Sequence, residues 1–334
     1  MEISKTIYGS WNQNLKEQRD VEVVYTPDVV YAKRETGDLC LQILTPIAPV
    51  FPAGEPFEPE NPDLKRILSW TSTNPFGDVP VDPPRFPCIV EIPGSGWAGG
   101  DGHRHIPAMT RLCEAGYVVA CITYRGTYKD DVRFPAAVQD ANEAVRFMRA
   151  NADIFHVDPE RIGVLGDSSG GHTAAFVGLT DREKRFNIGD NLDQSSAVKA
   201  AVIYYGPNDL THLVEDRIAE GKTLRPGEGT YPFEAWEMFQ SDFMKHPHMT
   251  PEEVLADASP INYITPDKKL PAVLFLNGDD DQIIPLKQGL RFCQKIRDNG
   301  GRAEFIKIVG GFHGHGCWTL EAMEDIIKFF KVYL

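Results

Sequence analysis

The sequence predicts an α/β fold, a mostly parallel central sheet with helices on both faces. Three observations predict it. Short apolar runs rich in Val and Ile recur along the chain and end in Gly or Pro, as buried parallel strands do. Amphipathic segments of helical period separate these runs. One run leads straight into Gly166-Asp167-Ser168-Ser169-Gly170 and a small-residue helix, the succession of strand, sharp turn and helix that lifts a serine above a sheet.

The strand candidates are CIVEIP (88–93), YVVACITY (117–124), RIGVLG (161–166), AAVIYYG (200–206), AVLFLNG (272–278) and EFIKIVG (304–310). Between them, residues 136–152 set Val138, Ala141, Val145 and Met148 on one helical face. Residues 286–300 do the same with Leu286, Leu290, Cys293 and Ile296, and stop at a Gly pair. Residues 319–334 form a closing amphipathic helix. Two segments break the rhythm. Residues 45–87 are too rich in proline for sheet or helix interiors and form an insertion. Residues 208–260 are polar and aromatic and form a cap-like insertion. No internal repeat or low-complexity tract divides the chain, so residues 1–334 are expected to form a single domain.

Composition narrows the partners. The chain has 334 residues, 42% hydrophobic and 25% charged, with a formal net charge of −14, the profile of a globular protein with ample core. That charge argues against nucleic acid and against anionic membrane surfaces. No run approaches the ~18 apolar residues of a membrane span. Residues 1–20 show no apolar signal region. The six cysteines have no CxxC spacing and several lie in apolar runs, which reads as reduced, buried thiols. The expected location is cytoplasmic. Oligomeric state is left open, a homodimer included.

The candidate nucleophile is Ser168. Gly166 and Gly170 flank it at the positions where a side chain would strike neighbouring backbone, and the helix after it favours developing negative charge. Ser169 has Asp167 where the first of those glycines should be, so its own N–H is suited instead to an oxyanion. Asp167 as nucleophile would lack the elbow position.

After such an elbow the expected chain order is serine, acid, histidine. The late run AVLFLNG ends in Asp279, Asp280 and Asp281, which compete for the acid; Asp281 is favoured because it follows the turn, where a side chain can reach an imidazole. The loop VGGFHGHG supplies His313 and His315. His313 comes first after the strand and is favoured as the base, with His315 lining the pocket. For the second oxyanion donor, the loop Pro93-Gly94-Ser95-Gly96-Trp97 follows CIVEIP, and the backbone N–H groups near Ser95 and Gly96 are open to a carbonyl oxygen. Trp97 either walls the substrate pocket or packs.

Six of the nine histidines fall in His-x-His pairs: His103/His105, His246/His248 and His313/His315. A metallohydrolase built on them is the alternative from another class, and it requires three loops to converge with carboxylates. A non-catalytic binding protein of the same fold is a further alternative, weakened by nucleophile, acid and base occurring in the expected order. An amidase or peptidase would use the same residues as an esterase.

Taken together, GDSSGGH (166–172), YRGTYKDDVRFP, YYGPNDL, ASPINYI and LFLNGDDDQIIPLKQG…GGFHG resemble the α/β-hydrolase esterase/lipase group related to hormone-sensitive lipase, and most its feruloyl-esterase-like carbohydrate-esterase branch. The resemblance covers residues 86–334 and, more weakly, 21–45, which look like the opening strands. It implies an α/β-hydrolase fold, Ser168 as nucleophile, Asp281 as acid, His313 as base, and no metal or organic cofactor. It also implies a small-molecule ester substrate, with acetyl or feruloyl esters of carbohydrates first. One departure stands out. The usual His-Gly-Gly-Gly-Trp oxyanion loop is Pro93-Gly94-Ser95-Gly96-Trp97 here.

Overall fold

The computed structural model describes residues 23–46, 84–127, 132–181, 183–222 and 248–334. The Pro-rich insertion therefore lies almost wholly outside the described residues, as does much of the cap-like insertion.

Two antiparallel strands, β1 (Val24–Arg34) and β2 (Gly37–Thr45), open the sheet, and β2 pairs antiparallel with β4 (Val118–Ile122). The rest is parallel: β3 (Phe86–Ile92), β5 (Val157–Asp167), β6 (Ala200–Tyr204), β7 (Ala272–Gly278) and β8 (Ala303–Ile308), in the order β1-β2-β4-β3-β5-β6-β7-β8. All six apolar runs are strands. β4, β6 and β7 are buried at every position, which is why they read as continuous apolar runs rather than alternating ones.

Alternate side chains of each strand feed opposite layers, as the pleat requires. On one face Ile89, Val119, Leu165 and Leu276 meet α1 (Ile106–Glu114) and α7 (Leu320–Tyr333). On the other, Val90, Ile92 and Val164 meet α2 (Ala136–Ala150), whose Ala141, Val145 and Met148 are buried as its periodicity predicts. Val138 is buried too, in a small aromatic cluster with Phe176 and Phe186. α3 (Ser169–Val177) follows β5 directly. The described parts of the cap-like insertion include short helices, α4 (Leu213–Ala219) and α5 (Pro251–Asp257).

α6 (Leu286–Asp298) corrects one reading. Leu290 is 49% exposed, and the buried face is Gln288, Gly289, Phe292, Cys293 and Ile296. The rotation follows from Gln288, which accepts the Asp209 N–H and donates to the Asp209 carbonyl and to Asp216 Oδ2. A polar residue that ties the helix to the insertion occupies the position that hydrophobic spacing alone reserves for leucine.

Candidate active site

Ser168 ends the turn from β5 to α3 with φ 52° and ψ −122°, a backbone conformation that an L residue holds only when its surroundings impose it. The surroundings are close. A Cβ on Gly166 would lie 2.5 Å from the Gly170 carbonyl carbon, and one on Gly170 would overlap the Ile92 carbonyl oxygen. Both glycines are therefore steric requirements of the elbow. The Ser168 N–H bonds the Tyr204 carbonyl at 2.9 Å, tying the turn to β6.

Three side chains from three strand ends meet here. Ser168 Oγ lies 2.8 Å from His313 Nε2. His313 Nδ1 lies 2.9 Å from Asp281 Oδ2. Asp281 is fully buried, and its Oδ1 accepts the N–H groups of Ile283 and Ile284 at 2.8 and 2.9 Å. The other two acids go elsewhere. Asp279 accepts the Gly310 N–H at 2.7 Å and so pins the histidine loop, while Asp280 is exposed. His315 is exposed, and its carbonyl accepts the Phe312 N–H at 2.9 Å. The Cys317 thiol donates to the Phe312 carbonyl at 3.0 Å, and burial pushes that thiol up to about 11. The Tyr205 ring packs 4.8 Å from that of His313.

The loop over the serine is held at nearly every polar atom. Tyr124 donates to the Pro93 carbonyl at 2.8 Å. Asp167 Oδ1 accepts the Gly94 N–H at 2.5 Å, and Arg104 donates to the Gly94 carbonyl at 2.5 Å. Ser95 departs from expectation: its N–H donates to Ser169 Oγ at 2.9 Å and is not open to a substrate. The cause is Ser169, whose hydroxyl, next to Ser168 in the elbow, supplies an acceptor at that point. Gly96, at φ +62°, keeps an N–H with no acceptor among the described residues. Ser169, first residue of α3, has no intrahelical acceptor for its own N–H.

Trp97 takes the packing role of the two expected: it is 3% exposed and donates from Nε1 to His172 Nδ1 at 3.2 Å. The cavity it lines with Arg125, Phe134, His172 and Thr173 does not include Ser168 or His313. His172 is fully buried and its Nε2–H donates to the Ala258 carbonyl at 2.7 Å, so with Trp97 it links the loop after β3 to the residues around Ala258. Burial lowers its pKa from 6.5 to about 4, against the pull of the Ala258 carbonyl. The neutral ring is thus favoured in the fold. Its stabilisation is complete above pH 6.5 and is lost as pH falls toward 4, by roughly 3 kcal/mol from this group. The His172→Gln variant is expected to show a correspondingly shallower loss of unfolding free energy between pH 7 and 4 in urea titrations. Equal pH slopes for the two proteins would sink this assignment.

Among the described residues the paired histidines do not converge. His103 faces Asp101 and Asp28, His105 faces Glu91, and His313 faces Asp281, while His246 lies outside the described residues. Among the described residues one group has a metal's donor set, Glu91, His105 and Asp167, with donor atoms within 4.8 Å of one another. Its members already contact one another: His105 Nδ1 is 2.8 Å from Glu91 Oε1 and 3.8 Å from Asp167 Oδ1. Burial drives the Glu91 carboxyl above its usual range despite His105. Burial also lowers His105, but the hydrogen bond and charge of Glu91 and the charge of Asp167 carry it above its ordinary value. This cluster escaped the sequence reading, although a lone glutamate inside CIVEIP is a visible signal.

The strand order, the elbow and the helices on both faces define an α/β-hydrolase fold of the esterase group. Residues 80–296 match the family described as BD-FAE, and the chain belongs to that family. Esterase LipC of Mycobacterium tuberculosis is 29% identical over 239 residues, covering 71% of this chain and 54% of LipC. The chain spans about half the length of the curated relatives it matches. Among solved structures, a truncated carbohydrate esterase from gut microbiota is 24% identical with a TM-score of 0.65, covering 93% of this chain and 96% of that one. A bifunctional GH43-CE of Bacteroides eggerthii is 26% identical with a TM-score of 0.66, covering 92% of this chain and 38% of that one.

Proposed function

We propose that this protein is a serine hydrolase of carboxylic esters, with Ser168 as nucleophile, His313 as base and Asp281 as acid. The observation that carries this is the hydrogen-bonded chain from Ser168 Oγ through His313 to Asp281, at 2.8 and 2.9 Å. The esterase relatives support it. Ser168 Oγ attacks the ester carbonyl carbon while His313 Nε2 takes its proton. The carbonyl oxygen becomes an oxyanion and receives the N–H groups of Gly96 and Ser169. His313 returns the proton to the leaving alcohol oxygen as the carbon–oxygen bond breaks, leaving an acyl-serine. Water, deprotonated by the same imidazole, then releases the carboxylic acid and restores Ser168. Asp281 accepts the Nδ1–H and stabilises the imidazolium formed in both halves. No step calls for a metal or organic cofactor.

The substrate class we infer is a small acylated carbohydrate, supported by the carbohydrate-esterase neighbours. A net charge of −14 is compatible with an uncharged ester of this kind. The Ser168→Ala variant is expected to lose turnover of p-nitrophenyl acetate by about 10⁴-fold or more and to escape labelling by a fluorophosphonate. Undiminished activity in that variant would exclude the acyl-serine route. Comparison with an aminoacyl anilide separates esterase from amidase, and the ester is expected to be the faster substrate.

A further inference from the structure

Glu91 lies in the middle of the sheet, fully buried on β3, with Oε2 unpartnered by any hydrogen bond among the described residues. Asp167, 2% exposed, stands beside it at the end of neighbouring β5, immediately before Ser168. Two buried carboxylates this close disfavour each other's charge unless a cation joins them. His105 is that cation's position, 2.8 Å from Glu91 and 3.8 Å from Asp167, with its ring packed 4.7 Å from that of Trp318. The other charged and titratable groups that act on this cluster include Arg104, Cys121, Tyr124, Tyr204 and Tyr205.

We propose that His105 is a positioning residue: held as a cation between Glu91 and Asp167, it keeps Asp167 seated on the Gly94 N–H and so fixes the Gly94–Gly96 peptides over Ser168. The connections are short. Asp167 Oδ1, the atom nearest His105, is the one that accepts the Gly94 N–H. Arg104, the residue before His105, grips the carbonyl of the same glycine. A Cβ on Gly94 would lie 2.9 Å from Ser168 Cβ, so any drift of this peptide is felt at the nucleophile. Gly96 follows two residues later. Loss of the His105 ring removes the group packed beside Asp167 Oδ1, and a carboxylate that shifts there makes a poorer bond to the Gly94 N–H. The oxyanion donors then lose their alignment with the developing charge.

This inference rests on the acyl-serine reading, and the test separates the two. Wild type, His105→Gln, Asp167→Asn and the double variant are compared on p-nitrophenyl acetate, with fluorophosphonate labelling rates and thermal unfolding measured on each. A loss of kcat of about 10- to 100-fold is expected in His105→Gln, with KM within about threefold and labelling slowed in parallel. The double variant is expected to be no worse than the poorer single one, because both act on one peptide. Additive losses, or a loss confined to KM, would overturn the proposal. Should His105→Gln unfold, the Glu91→Gln/His105→Gln pair removes both charges at once; wild-type kcat in that folded pair overturns the proposal, and a parallel loss of kcat and labelling upholds it. Activity of the wild type that vanishes with EDTA and returns with Zn²⁺ also overturns it, in favour of a bound metal. In every overturning case, Ser168-dependent turnover by the wild type leaves the acyl-serine reading standing.

Discussion

Replacing His313 with alanine is expected to lower kcat for a short-chain aryl ester by about 10⁴-fold or more, whereas His315→Ala stays within about threefold. The two residues are a pair in sequence and unequal in space. His313 Nε2 is 2.8 Å from Ser168 Oγ, and its Nδ1 is 2.9 Å from a buried carboxylate. His315 is exposed, and the chain bends at Gly314 (φ 84°) and Gly316 (φ 76°) on either side of it. Such bends divert a side chain two residues on from the direction of the first. Without His313 the serine hydroxyl has no base at hydrogen-bond distance, and the leaving alcohol has no proton donor. What survives is binding and the oxyanion donors. Single-turnover acylation followed by release of p-nitrophenol measures this directly. A collapse in His315→Ala with His313→Ala intact would move the base by two residues. The burst should vanish in His313→Ala even at saturating substrate, because the defect lies in acylation and not in binding.

The fold was legible wherever a strand is buried on both faces. AVLFLNG, AAVIYYG and YVVACITY carry no polar alternation because helices cover both sides, and so their strand character is plain in one dimension. The elbow was legible for a different reason: Gly166 and Gly170 are demanded by backbone contacts, and such demands leave fixed residues at fixed spacing. The failures share a physical origin as well. Leu290 is misread because Gln288, through three hydrogen bonds to residues some 70 to 80 positions away, decides which face of α6 is buried. Ser95 is misread because its N–H finds Ser169 Oγ, an acceptor 74 residues distant. The Glu91–His105–Asp167 cluster joins two strands and a loop. Periodicity reports how a segment meets its surroundings on average; it carries nothing about which polar atom a loop will meet.

The choice among the three consecutive acids shows the same limit and carries the second large effect. Asp281→Asn is expected to reduce kcat by about 10⁴-fold with KM little changed, while Asp280→Asn stays within about twofold. Asp281 is 0% exposed, with Oδ1 engaged by the Ile283 and Ile284 N–H groups and Oδ2 by His313 Nδ1. An asparagine is nearly the same shape and can keep the Oδ1 contacts, so the fold should survive. If it does, Nδ2 replaces Oδ2 opposite the imidazole. That nitrogen is a donor and cannot accept the Nδ1–H, so it favours the tautomer that carries its proton on Nε2 and cannot take one from Ser168. The imidazolium formed during attack also loses its counter-charge. Asp279→Asn is a separate case, because Asp279 Oδ1 holds the Gly310 N–H. An asparagine oxygen accepts that same bond, so a modest loss is expected, arising from a looser histidine loop. The ordering Asp281 far above Asp279, with Asp280 near zero, is read from kcat for p-nitrophenyl acetate at constant pH. Asp280→Asn as the worst of the three would remove Asp281 from the chain of proton contacts and leave its burial unexplained. Partial recovery of Asp281→Asn at high pH, where hydroxide or a deprotonated serine can attack without the imidazole, would mark the defect as one of tautomer rather than of folding.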